Sequence, residues 1–156
     1  MRVSKTNAMR ILDKNKKSYE IFTYDNEDGK IHGTAVAEKI GKSPDVVFKT
    51  LVSHSGPNIY VFAIPVGEEL DLKKAAKEAG EKKIEMLPVK DLQKFTGYVR
   101  GGCSPIGMKK LYPTFIHNSA LQLEKIVVSA GKIGVQMEVN PLSLEECINC
   151  KFVELI

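Results

Sequence analysis

VFKTLVSHSGPNIYVFAI, residues 47–64, decides what kind of sheet this chain can build. Residues 47–54 and 59–64 are rich in β-branched and aromatic side chains, which suit a pleated, partly buried surface. Between them, Gly56-Pro57-Asn58 supplies turn chemistry short enough for a hairpin, and a hairpin joins antiparallel neighbours. A purely parallel sheet is therefore excluded. Elsewhere strands and short helices alternate, but connections of hairpin length break a strict βαβ rhythm. The expected class is α/β: a mixed, curved, barrel-like sheet flanked by helices.

Working outward, Thr6 is placed to cap a first helix running to about Asn15, with Ala8, Ile11 and Leu12 on its inner face. A strand is expected over 20–24, followed by the polar turn DNEDGK. A short helix over 34–40 ends at Gly41, and Ser43-Pro44 opens another turn. Beyond the hairpin, Asp71 caps a helix to Ala79, with Leu72, Ala75, Ala76 and Ala79 on one face and Gly80 closing it. The pattern then gives a short strand over 83–87, a short helix over 89–95, and a glycine-rich stretch, TGYVRGGCSPIGMKK, over 96–110. Strands follow at 114–117, 124–129 and 134–139, with a turn at 118–122. Asn140-Pro141 begins a last helix to about Cys147, and residues 151–155 close as a strand. No repeat, low-complexity tract or linker interrupts the 156 residues, which fit one domain.

Composition narrows the function classes. Hydrophobic content of 43% and charged content of 27% are those of a globular protein. No apolar run approaches the roughly 18 residues of a membrane span. The start, MRVSKTNAMRIL, has no apolar signal core, so the cytoplasm is the expected compartment and no membrane partner is expected. Three cysteines do not make a disulfide framework and suit a reducing compartment. Of 23 basic residues only Arg2, Arg10 and Arg100 are arginine. A net charge of +4 carried mostly by lysine gives diffuse phosphate attraction with little base reading.

Few residues point to chemistry unaided. Lys49 alternates with Val47 and Leu51 on one strand face, opposite Phe48, Thr50 and Val52. It either borders a cavity that needs a cation or stands on a solvated sheet face. The glycine stretch reads either as a tight loop or as a place where the Gly101–Gly102 amides approach a substrate oxygen. His32, His54 and His117 are scattered, without metal-ligand spacing. Cys147-x-x-Cys150 lacks a second pair, which leaves packing as the simpler role beside a metal or thiol-redox one. No nucleophile elbow or complete phosphate loop is present; Gly41-Lys42-Ser43 lacks the glycine five residues earlier, where Val36 stands.

Taken together, PDVVFKTLV (44–52), LDLKKAAKEAG (70–80), TGYVRGGCSPIG (96–107) and VSAGKIG (128–134) resemble the YbaK-type Cys-tRNA(Pro) deacylases of the YbaK/EbsC family. That family belongs to the superfamily of the editing domain inserted in bacterial prolyl-tRNA synthetases. The resemblance spans essentially the whole chain, and it implies the curved mixed sheet and the hydrolysis of mischarged Cys-tRNA(Pro), with Cys-tRNA(Cys) as a further substrate. It implies no metal or organic cofactor. The substrate's own sulfur attacks its ester carbonyl, so the protein supplies position and charge. By the same resemblance Lys49 and the Gly101 amide are the catalytic groups. Tyr24, Thr50, Gly102, Ser104 and Ser129 are assigned to substrate binding.

The family's GKRGLD reads Gly131-Lys132-Ile133-Gly134-Val135-Gln136 here, so Ile133 and Gln136 replace a base and an acid. Cys103 within the glycine motif is expected to be a small filler rather than a crosslinking thiol. The partners implied are the 3′ end of aminoacylated tRNA and, transiently, prolyl-tRNA synthetase. Two alternatives stay open: a deacylase for another small amino acid such as Ala-tRNA(Pro), with water as nucleophile, and a non-catalytic module that binds tRNA or synthetase.

Overall fold

The computed structural model describes residues 3–156. The hairpin forms as the sequence requires. β2 (Phe48–Ser55) pairs antiparallel with β3 (Asn58–Pro65), from Phe48 opposite Pro65 to Ser55 opposite Asn58. β3 pairs parallel with β5 (Thr114–His117), and β5 pairs parallel with β8 (Lys151–Val153). The two-residue β4 (Glu85–Met86) sits on the far side of β2. This mixed five-stranded sheet has the order β4-β2-β3-β5-β8.

A second, antiparallel sheet has the order β1-β7-β6, built from β1 (Tyr19–Thr23), β6 (Ile126–Lys132) and β7 (Val135–Val139). The curvature expected of one sheet is achieved by joining two. Val47 and Val127 form a single parallel bridge, and the Val127 amide donates to the Val46 carbonyl at 2.8 Å. β6 also runs further than its alternation suggests, because a register shift between Ser129 and Lys132 absorbs extra residues before the β7 turn.

The main core lies between the two sheets. Phe48, Ala63 and Ile116 from the larger sheet meet Ile126, Val128, Met137 and Val139 from the smaller one. Its end is closed by α1 (Asn7–Lys14), through Ala8, Met9 and Leu12, and by α5 (Pro141–Ile148), through Leu144 and Ile148. Thr6 caps α1 by accepting from the Met9 amide at 3.2 Å, while its hydroxyl donates to the Ala130 carbonyl, tying the helix to β6. On the outer face of the five-stranded sheet, Phe62 and Ile64 pack under Ala75 and Ala76 of α3 (Leu72–Ala79). Asp71 caps that helix, and Gly80 at φ +75° ends it.

Two further helices position the site. α2 (Gly33–Lys39) starts at a glycine because a Cβ there would stand 2.5 Å from a methyl of Val66. α4 (Val89–Thr96) ends at Gly97 and delivers the chain into the glycine-rich loop. That loop folds over Tyr98, whose ring is buried and whose hydroxyl donates to the Ile106 carbonyl at 2.7 Å.

Candidate active site

A cavity of about 490 Å³ opens where the two sheets meet, of the size that takes a small ligand. Three parts of the chain form it. β2 contributes Lys49 and Thr50, β6 and β7 contribute Ser129 and Gln136, and the glycine loop contributes Arg100, Gly101 and Cys103. The turn before α2 covers it with Gly29, Ile31 and His32, and Val36, Val47, Phe48 and Val66 complete the apolar wall. Among the described residues, the lining holds two basic side chains, Lys49 and Arg100, and no carboxylate.

Lys49 borders the cavity rather than a solvated sheet face. Its ammonium forms no ion pair among the described residues. Its neighbour Thr50 holds a hydroxyl oxygen that is buried and makes no hydrogen bond with the protein. Buried hydroxyls are nearly always partnered, so this one, on the cavity lining, is open to a ligand or to water. Ser129 and Gln136 stand opposite each other in the β6–β7 register. The Ser129 oxygen accepts from the Gly131 amide at 3.2 Å, which leaves its own proton to donate.

The two glycine amides are not equivalent. Gly102 is buried and donates to the Val99 carbonyl at 3.0 Å, closing a turn, so its amide is committed to the loop. Gly101, at φ +85°, lines the cavity, and its amide is free of any backbone bond. The expected pair of available amides is thus a single one, because the turn that exposes the first consumes the second. Ser104 is fully buried behind the wall, its oxygen 3.4 Å from the Ile106 amide. Tyr24 lies outside the lining as well: its ring sits 5.8 Å from the Lys39 ammonium, and its buried hydroxyl has no partner.

Cys103 reaches the cavity, but burial pushes its thiol up to about 12, so it stays protonated and a poor nucleophile. Burial likewise pushes Cys150 up to about 12, and Cys147 is raised by the same cause. Among the described residues, no group of three His, Cys, Asp or Glu is arranged to hold a metal ion. No helix among the described residues is long and apolar enough to cross a membrane.

The sequence does not assign Ile31, Val66 or Arg100 to the site, and His32 enters it only as a candidate metal ligand. The clue to Ile31 and His32 lay in the glycines that flank them: Gly29 takes a left-handed turn at φ +75°, and Gly33 is closely approached by Val66. A Cβ on Gly101 would touch both Ile31 and Ile133, so the three loops pack directly on one another.

The description "Aminoacyl-tRNA editing domain" belongs to the family model that matches residues 32–147. A relative from Enterococcus faecalis (strain ATCC 700802 / V583), EbsC, is 46% identical over 154 residues, which is 97% of this chain and 93% of that protein. It carries the provisional name of a Cys-tRNA(Pro)/Cys-tRNA(Cys) deacylase. Among solved structures, a protein provisionally named a trans-editing enzyme for prolyl-tRNA synthetase superposes with a TM-score of 0.82 at 17% identity, covering 98% of each chain. A hypothetical protein superposes at 0.87 with 16% identity, covering 96% of this chain and 99% of its own. The structural likenesses establish the fold; by the family match and the identity to EbsC, this chain belongs to the aminoacyl-tRNA editing domain family.

Proposed function

We propose that residues 1–156 act as one deacylase unit that clears cysteine from Cys-tRNA(Pro), and from Cys-tRNA(Cys), in the cytoplasm. The observation that carries this reading is the 46% identity, over nearly the whole of both chains, to a protein named for that activity. The cavity supports it chemically. It offers a free cation at Lys49 and a free amide at Gly101, but no carboxylate and no activated nucleophile. Such a site suits a reaction whose nucleophile arrives with the substrate.

In that reaction the cysteinyl thiol loses its proton to solvent and the sulfur attacks its own ester carbonyl. A carbon–sulfur bond forms, the carbon–oxygen bond to the terminal ribose breaks, and the ribose oxygen takes up a proton as tRNA leaves. The product is a four-membered cyclic thioester that water opens to cysteine. In this reading the Gly101 amide donates to the carbonyl oxygen as charge builds there, and Lys49 stabilises the anionic sulfur or the departing oxygen. Thr50, Ser129 and Gln136 offer uncharged hydrogen bonds that fix the aminoacyl group. Editing of this kind repairs the weak discrimination a synthetase can reach between amino acids of similar size.

Prolyl-tRNA synthetase is the proposed transient partner, supplying the tRNA choice that a lysine-dominated surface lacks. Mixing charged tRNAs with the protein, with and without synthetase, tests both parts. Cys-tRNA(Pro) is expected to be deacylated alone, and the synthetase is expected to sharpen the preference for tRNA(Pro). Stable Cys-tRNA(Pro) in both mixtures would remove the reading.

A further inference from the structure

The net charge of +4 is not spread over the chain. Residues 89–111 hold the cations Lys90, Lys94, Arg100, Lys109 and Lys110 against one acid, Asp91, which leaves 18 of each sign everywhere else. This segment is α4 with the glycine loop, and its Arg100, Gly101 and Cys103 line the cavity. All five cations are exposed, and none forms an ion pair among the described residues. The Lys109 ammonium donates to the Lys94 carbonyl at 3.2 Å, and its stem runs 3.4–4.0 Å from the place of a Cβ on Gly97. From Gly97 to Arg100, at the cavity, the chain spans at most roughly 10 Å. That is about one Debye length at physiological salt, so Lys109, beside Gly97, and Arg100 attract a polyanion jointly.

We propose that this surface carries the phosphate backbone of the RNA whose aminoacylated end occupies the cavity. The inference rests on the deacylase reading above. A cavity of about 490 Å³ has room for the aminoacylated terminal nucleoside but not for the strand behind it, and Arg100 is an exposed cation on its lining toward which that strand would run. Four of the five cations are lysines, which serve phosphates as flexible point charges without reading bases. An acidic protein face is the weaker match, because lysine is depleted in the cores of protein interfaces.

The test compares K94A/K109A/K110A with the wild type on two substrates, cysteinyl-tRNA(Pro) and the cysteinyl ester of adenosine, which has no phosphate. On tRNA the variant is expected to raise KM at least about tenfold with kcat within about twofold. The slope of log kcat/KM against log salt should become shallower by about 2, since each lost phosphate contact removes about 0.7–0.9. On the adenosine ester the variant and wild type should agree. K73A/K77A/K82A, equal in charge change and remote from the loop, should keep the wild-type KM, and K90E/K110E should repeat the loss. Unchanged KM and salt slope, an equal loss from both lysine sets, or a loss seen only when synthetase is present each overturn the proposal.

Fluorescence anisotropy with an uncharged acceptor-stem RNA separates the two readings. Lysine-dependent RNA binding without cleavage of either ester would sink the deacylase and keep the backbone track. Cleavage of the adenosine ester with RNA affinity indifferent to these lysines would do the reverse.

Discussion

A side chain at Gly101 would collide with Ile31: a Cβ there would stand 2.7 Å from Ile31 Cδ1. The Ile31 methyl can turn aside, so it is the left-handed backbone at φ +85° that favours glycine at this cavity position. Gly101→Ala keeps the amide but shifts it, by straining the left-handed backbone and setting a methyl against Ile31, and is expected to lower deacylation at least about tenfold, toward the roughly hundredfold scale of losing one preorganised donor. It should cost about 1–2 kcal/mol of stability through backbone strain. Gly80→Ala carries the same strain at the end of α3, with open space around it, and should cost similar stability with full activity. Thermal melts and deacylation rates of the pair check this; equal activity loss in both would show the effect is general strain.

Lys49→Ala should leave the melt within a few degrees of wild type, since the ammonium has no protein partner to lose. Activity should fall roughly 10²–10³-fold, in kcat more than in KM. Lys49→Arg should recover only part of it, because a planar fork does not replace a point charge. Steady-state kinetics on cysteinyl-tRNA decides the matter, and a Lys49→Ala enzyme of normal rate would remove this residue from the chemistry.

Tyr98 fixes the glycine loop from beneath, its hydroxyl donating to Ile106 and its ring standing 2.9 Å from the place of a Cβ on Gly131. Tyr98→Phe keeps the ring and leaves the buried Ile106 carbonyl without its donor. The cost should be about 1–3 kcal/mol, read as a lower urea midpoint at unchanged slope. A midpoint equal to wild type would mean that the hydroxyl does not hold the loop.

The buried thiols give the protein an alkaline limit. Cys103 and Cys150 are pushed up to about 12 by burial, well above the ordinary thiol range. Below about pH 9 both states keep these protons, and the thiols add no pH dependence. Between pH 9 and 12 the unfolded chain releases protons that the folded chain retains. Stability therefore falls as pH rises, by up to roughly 1.4 kcal/mol per pH unit for a fully buried thiol. Melting temperatures from pH 8 to 10.5 should decline in the wild type and decline less in C103A/C150A. Parallel slopes would contradict this origin.

Most of the fold was legible because its signals are local. The hairpin at Gly56-Pro57-Asn58, the Thr6 and Asp71 caps and the Gly80 stop each act over a few residues, and each forms where expected. The division into two sheets was not legible, since the Val47–Val127 bridge joins residues eighty apart that no short pattern relates. At the site, Lys49 could be narrowed only to two settings until β6 and β7 were seen beside it. Gly102 illustrates a different limit: which of two adjacent amides is free depends on the Val99 turn, a conformation that composition does not encode. Gln136, visible in sequence only as a substitution for an acid, proves to line the cavity opposite Ser129.

The central claim is that the substrate brings its own nucleophile to a cavity that supplies only charge and position. Single-turnover deacylation of tRNA(Pro) charged with cysteine, S-methylcysteine and alanine tests it most directly. The cysteinyl ester is expected to be released, with the S-methylcysteinyl and alanyl esters decaying at the uncatalysed rate. Enzyme-dependent release of either sulfur-blocked or alanyl ester at a rate comparable to cysteinyl would contradict it.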